Sequence, residues 1–361
     1  MFPLTWPTHG SNPNYLYQAL GMELPAQYID FSANINPLGP PEFLQEKWNH
    51  FFTNIMVYPD PEVTSLTEKL AYHLNIGKEW ILFGNGASEL IGLIGRLLFR
   101  KKVLIIQPAF SEYEWTCSVN QCQIINYQLM EPLWNLDVKE IKKKLEKVDA
   151  VFLCNPSNPT GVDYSHSDLL DLLDECKEKN CLLILDEAFY DYLNEYESMV
   201  PYVLENSNIL LLRSMTKMFA IPGIRLGYVV ANPKIIAQLK SFQPHWSVNA
   251  IAMQAGELCL ENEAFQEKTR QYITRERTKI FTFLNSEGYA FSRSETNYYL
   301  MRDPGLDDQF PLFLFLLNQG VVPRHTMNFS GLEGRWMRFA IKNTAENERL
   351  MEVLKQWRSQ S

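Results

Sequence analysis

The chain has 361 residues, 46% hydrophobic and 21% charged, enough to build one large or two ordinary domains around packed cores and too apolar for a disordered chain. A formal net charge of −9 argues against a general binder of nucleic acid or anionic membranes, while leaving room for a small positive pocket. Six scattered cysteines contain no C-x-x-C pair and the six histidines lie far apart, so no metal site is expected, and reduced thiols in a cytoplasmic protein are.

No signal peptide is expected in the opening "MFPLTWPTHGSNPN". Residues 1–41, rich in Pro, Asn and Gly, predict an irregular N-terminal arm draped over a surface. From about Glu62 to Ala231 the pattern alternates. The candidate strands are "VLIIQ" (103–107), "AVFLC" (150–154), "CLLILD" (181–186), "NILLLR" (208–213) and "LGYVVA" (226–231). All are continuously apolar, as strands covered on both faces are. Helix-like segments such as "SDLLDLLDECKEKN" lie between several of them, which predicts an α/β fold with a mainly parallel sheet flanked by helices. The large domain is expected over 42–240, with its boundary in "SFQPHWSVN" (241–249). Residues 241–361 predict a smaller α+β domain, with two long helices followed by short strands at "NYYLMR" and "RWMRFAI". The apolar run "FPLFLFLL" is too short to cross a membrane.

In an open α/β sheet, ligands bind outside the carboxyl ends of the strands. Four polar clusters fall at such ends. "GNGASEL" (84–90) reads as an anion-binding helix start, or as a turn with Ser88 as a helix cap. "CNPSNPTG" (154–161) is a rigid loop that can hold the Asn158 amide against a ligand, or a tight turn and nothing more. Asp186 ends an apolar strand, so its carboxylate is paired, caps a helix or faces a site. In "RSMTKMFAIPGIRLGY" (213–228), Ser214 and Arg225 are suited to a phosphate. Lys217 between them is a third phosphate contact, a solvated surface lysine or an amine that forms a Schiff base. One cofactor uses the whole inventory: pyridoxal 5′-phosphate needs an imine-forming lysine, a carboxylate beside its ring nitrogen and a phosphate site.

Those four motifs, in that order, resemble the fold-type I pyridoxal-phosphate enzymes, in the branch that contains the histidinol-phosphate aminotransferases. Within it, "HGSN" (9–12), "DFSANINPLGPP" (30–41), "PAFSEYE" (108–114), "WSVNA" (246–250) and "RFAIKNTAENERL" (338–350) resemble the L-threonine-O-3-phosphate decarboxylases of cobalamin biosynthesis. The resemblance implies Lys217 as the Schiff-base lysine, Asp186 at the ring nitrogen, Asn158 at the phenolic oxygen and Phe110 on the ring face. It implies Gly86, Ala87, Ser88, Ser214 and Arg225 around the cofactor phosphate, joined by Tyr58 from the second subunit of a homodimer. Arg338 is implied for the substrate carboxylate, and His9, Gly10, Asn34, Asn158 and Arg324 for the rest of the substrate, including its phosphate. Phe189 stands where the aminotransferases usually carry a tyrosine. "HGSN" departs from the family in having Ser11 where a second glycine is more typical, which bears on the backbone geometry there.

The expected activity is decarboxylation of a small phosphorylated amino acid, threonine phosphate. The alternatives are a histidinol-phosphate aminotransferase and, in another class, a non-catalytic binding or regulatory protein on the same scaffold.

Overall fold

The structure, a computed structural model, describes residues 6, 7 and 9–360. Residues 1–5 and Thr8 of the predicted arm lie outside the described residues. Thirteen strands are described: β1 Ile29–Asp30, β2 Ile81–Gly84, β3 Lys102–Gln107, β4 Gln123–Gln128, β5 Ala150–Cys154, β6 Leu182–Asp186, β7 Ile209–Ser214, β8 Gly227–Ala231, β9 Ala290–Phe291, β10 Tyr298–Arg302, β11 Val321–Val322, β12 Arg324–His325 and β13 Met337–Ala340.

Seven of them form one sheet in the order β2-β8-β7-β6-β5-β3-β4. Only β8 runs against its neighbours, so the sheet is mixed but mostly parallel, as the apolar runs predict. Alternate residues along the central strands enter different apolar clusters. Leu183, Leu185 and Leu211 pack into one; Ile184, Leu210 and Leu212 pack into the other, with the helices Ala87–Leu97 and Ser111–Val119. Burial on both faces is what makes these strands continuously apolar. Strand β4, "QIINYQ", is absent from the predicted set because it is a half-exposed edge strand with mixed polarity.

The last third builds an antiparallel sheet in the order β12-β13-β10-β9. It follows the helices Ala250–Leu260 and Glu263–Ser286 and precedes Thr344–Gln360. No helix among the described residues is long and apolar enough to cross a membrane.

The N-terminal segment is more ordered than predicted. Pro13–Ala19 is helical, with proline at the helix start where its missing N–H costs nothing. Tyr17 is buried and donates to Leu317 O at 2.6 Å. Strand β1 pairs in parallel with β11. The next residues run on to β13, where Ala340 N–H donates to Phe31 O at 2.8 Å. The segment is therefore held by a two-stranded sheet with β11 and a hydrogen bond to β13, not merely draped over a surface.

Candidate active site

Strands β2, β5, β6 and β7 run the same way, so their carboxyl ends meet at one edge of the large sheet. Strand β8 runs oppositely and starts at that edge, which delivers Arg225, two residues before it, to the same place. A cavity of about 360 Å³ opens there and takes the rest of its wall from β12, β13 and the N-terminal segment.

The anion cradle begins at Gly86, whose φ of +79° suits glycine. A Cβ at this position would lie 2.4 Å from Arg225 Nη2, so the turn and the guanidinium approach as closely as they do only because the side chain is absent. Gly86 caps the helix Ala87–Leu97, which places Ser88 inside the first turn and not at the cap. Ala87 and Ser88 line the cavity at this helix start, where free N–H groups and the dipole favour an anion. Ser214, Thr216 and Arg225 line the same wall, with Ser214 Oγ 3.0 Å from Thr216 Oγ1.

Lys217 is half-buried on the cavity wall, unlike a solvated surface lysine. Burial, then the charges of Arg338 and Arg225, push its amine down to about 8, with Asp186 opposing. Its backbone is held from both sides. Tyr192 Oη donates to Lys217 O at 2.8 Å, and Asn36 Nδ2 to Met218 O at 2.6 Å. The Phe189 ring centre lies 5.8 Å from Lys217 Nζ.

Asp186, at the end of β6, is buried on the same wall and makes no ion pair among the described residues. Burial pushes its carboxyl up to about 6, against hydrogen bonds from Tyr113 Oη at 2.5 Å and Ala188 N–H at 2.9 Å. Tyr113 is itself fully buried and stacked on Phe152 at 4.9 Å. The neighbouring Glu187 is neutralised by Arg213 at 2.8 Å, which limits its effect on Asp186.

The remaining predicted residues converge from three directions. Phe110 lies on the wall just before the helix Ser111–Val119. Asn158 accepts from Arg338 Nη1 at 2.6 Å through its amide oxygen, so its NH₂ is the group it can offer a ligand. Arg338 also donates to Ser32 O at 2.8 Å, while its buried Nε has no hydrogen-bond partner among the described residues. Arg324 Nη2 donates to Asn328 Oδ1 at 2.8 Å, and the guanidinium lies 5.4 Å from the Phe329 ring centre. His9, Gly10 and Asn34 line the same cavity, where His9 Nε2 stands 3.0 Å from Glu112 Oε1. Asn34 Oδ1 is buried with no partner among the described residues. Tyr58 is the one predicted site residue far from this wall. It is 84% exposed, its ring 5.2 Å from that of Trp246.

Tyr113, Thr216, Asn36 and Tyr192 are absent from the predicted set. Tyr113 had a signal: it lies three residues after Phe110, so one helical turn puts both on one face. The others act on backbone or on neighbouring hydroxyls and leave no sequence mark.

The arrangement fits pyridoxal 5′-phosphate. A cradle that a Cβ would fill, a half-buried lysine with a depressed pKa and a buried carboxylate border one cavity, whose wall also includes Asn34 and Arg338, each with a buried polar atom that has no partner among the described residues.

The model of the family described as aminotransferase class I and II matches residues 26–354. The threonine-phosphate decarboxylase of Salmonella typhimurium is 36% identical over 96% of this chain and 95% of its own. The crystal structure of the histidinol-phosphate aminotransferase from Clostridium acetobutylicum superposes with a TM-score of 0.87 at 32% identity, over 92% of this chain and 99% of the other. That of the L-threonine-O-3-phosphate decarboxylase from Porphyromonas gingivalis gives 0.81 at 25% identity, over 91% and 98%. The chain belongs to the aminotransferase class I and II family and is a pyridoxal-phosphate-dependent enzyme of fold type I.

Proposed function

We propose that this enzyme decarboxylates L-threonine O-3-phosphate to (R)-1-aminopropan-2-ol O-2-phosphate and CO₂, a reaction of cobalamin biosynthesis. The observation that carries the reading is a pair of buried arginines, Arg324 and Arg338, on one wall of a cavity that has a separate phosphate cradle. The cradle of Ala87, Ser88, Ser214 and Arg225 serves the cofactor. The second cationic wall then suits a substrate with two anionic groups, a carboxylate and a phosphate.

The bound cofactor supplies an electron sink for the bond that breaks at Cα. The chain supplies everything else. Asp186, as a carboxylate, keeps the ring nitrogen protonated, and Tyr113 holds that carboxylate in place. Arg338 takes the substrate carboxylate and Arg324, with His9 and Asn34, the phosphate. Gripping both ends would hold the substrate in one orientation, so that the Cα–COO⁻ bond and not Cα–H is the one presented for cleavage. Binding energy from the phosphate, remote from the reacting bond, maintains that orientation. Once CO₂ leaves, Cα would take a proton from Lys217 Nζ or from another acid on the cavity wall.

The reading includes a homodimer. Phe52, Ile55, Met56, Val57, Tyr58 and Trp246 form a run of exposed apolar side chains, more than an isolated subunit would normally show to water. A second copy covering it would bring Tyr58 to the partner's cradle.

The likeness to the Clostridium enzyme favours a second reading, histidinol-phosphate transamination. Phe189, which lines the cavity and carries no hydroxyl, speaks against it. The test offers threonine phosphate alone, and histidinol phosphate with 2-oxoglutarate. Release of CO₂ from the first supports decarboxylation; glutamate from the second, with no CO₂ from the first, overturns it.

A further inference from the structure

The N-terminal segment crosses the cavity mouth through a strained residue. Ser11 has φ +70°, in the left-handed region that side chains other than glycine adopt at a cost. Its backbone is pinned there. Ser11 N–H donates to Ser32 Oγ at 2.8 Å, and Ser32 Oγ donates to Asp30 Oδ1 at 2.6 Å. Ser32 also orients Arg338, whose Nη2 donates to Ser32 O at 2.8 Å. The preceding residue has no slack, since a Cβ on Gly10 would lie 2.8 Å from Ser32 O and 3.1 Å from Arg324 Cδ.

Glycine at position 11 would make the same backbone bond without the strain. What serine adds is a hydroxymethyl group, and Ser11 lines the same cavity as Arg324 and His9. Strain held at a site by surrounding bonds points to a use for the residue that bears it. We propose that Ser11 is a specificity-determining residue whose hydroxyl donates to the phosphate ester of the substrate, next to Arg324. This rests on the phosphorylated-substrate reading above and deepens it. A phosphate monoester presents three terminal oxygens, more than one guanidinium can satisfy, and an O–H donor to such an oxygen is a strong, charge-assisted partner.

The test uses the cofactor-loaded enzyme, with Ser11→Ala and Ser11→Gly. Ala removes the hydroxyl and keeps the left-handed strain; Gly removes both. The probes are O-phosphoethanolamine, which has the amine and the phosphate but no carboxylate to lose, and ethanolamine. Binding is read from the cofactor absorbance. Both variants are expected to bind O-phosphoethanolamine about tenfold more weakly, equivalent to about 1.4 kcal/mol. Ethanolamine binding and cofactor affinity stay unchanged, and Ser11→Gly melts about 1–2 °C higher. If Ser11→Ala discriminates between the probes as well as the wild type does, the hydroxyl has no such role, and the proposal falls while the phosphorylated-substrate reading stands. If the wild type itself does not distinguish the probes, that reading falls and takes Ser11 with it.

Discussion

Arg324 and Arg338 stand directly opposite each other as register partners of the antiparallel strands β12 and β13. Like charges in that position destabilise a sheet. Burial makes it worse: desolvation pushes both guanidiniums down from their ordinary pKa, and for Arg324 the charge of Arg338 adds to it. An anion entering the cavity beside them would relieve that repulsion, which is the physical ground for the proposed substrate grip.

Arg324→Ala is expected to lower kcat/KM for threonine phosphate by roughly tens- to thousands-fold, since truncating one partner of a buried charged contact costs about 2–5 kcal/mol. Cofactor affinity should hardly change, because Ser88, Ser214 and Arg225 lie on the other wall. The two measurements together are decisive: equal loss of both, or of neither, sinks the phosphate grip.

Much of this site was legible in the sequence, for a physical reason. Buried parallel strands are continuously apolar, so the polar residue that ends each one stands out, and parallel strands bring those ends to one edge. Asp186 and Ser214 stand out that way, and Asn158 stands out in the loop that follows β5. Strand direction is not written in the pattern: "LGYVVA" reads like its neighbours, yet β8 is antiparallel. Nor are residues that act through others. Asn36 reaches Met218 O across 182 positions, and Tyr113 reaches Asp186 across 73. Such pairs exist only after folding.

Lys217 should carry the cofactor. Lys217→Ala keeps the fold and loses the borohydride-reducible link; a variant that still forms one would place the link on another lysine. In the cofactor-free protein, capture of the aldehyde needs the neutral amine. Its rate should therefore rise with pH and level off above about 8. Removing a positive neighbour, as in Arg338→Leu, lifts the lysine pKa and moves that midpoint upward. A midpoint unmoved, measured by stopped-flow absorbance, counts against the electrostatic account.

The dimer has a test that does not depend on its shape. Tyr58→Ala and Lys217→Ala each damage a different half of a shared site. If Tyr58 serves the partner's cradle, unfolding and refolding the two inactive variants together restores activity that neither has alone. In the mixed dimer, one site then receives an intact lysine from one chain and an intact tyrosine from the other. No recovery, or full activity in a monomer by sedimentation, removes Tyr58 from the site.

Tyr113 sets the working range of Asp186. Two opposing effects fix that carboxyl: burial raises its pKa, while the bonds from Tyr113 Oη and Ala188 N–H lower it, and burial wins, leaving it at about 6. The phenol stays a donor, because burial and the adjacent carboxylate hold its own pKa well above the ordinary value. Cofactor held by a ring nitrogen that keeps its proton needs Asp186 ionised, so affinity in the wild type should fall as pH drops through about 6. Tyr113→Phe keeps the ring stacked on Phe152 and removes only the hydroxyl. With one stabilising bond gone, the carboxyl titrates at a higher pH, and the acid-side loss of affinity begins earlier. A hydrogen bond to a charged group contributes about 1.5–3 kcal/mol, so the cofactor Kd near neutral pH should rise by roughly ten- to a hundredfold. Fluorescence titration of the cofactor at several pH values reads both effects. A Kd profile in Tyr113→Phe that overlies the wild type would show that Asp186 is held by its own strand and by Ala188 alone.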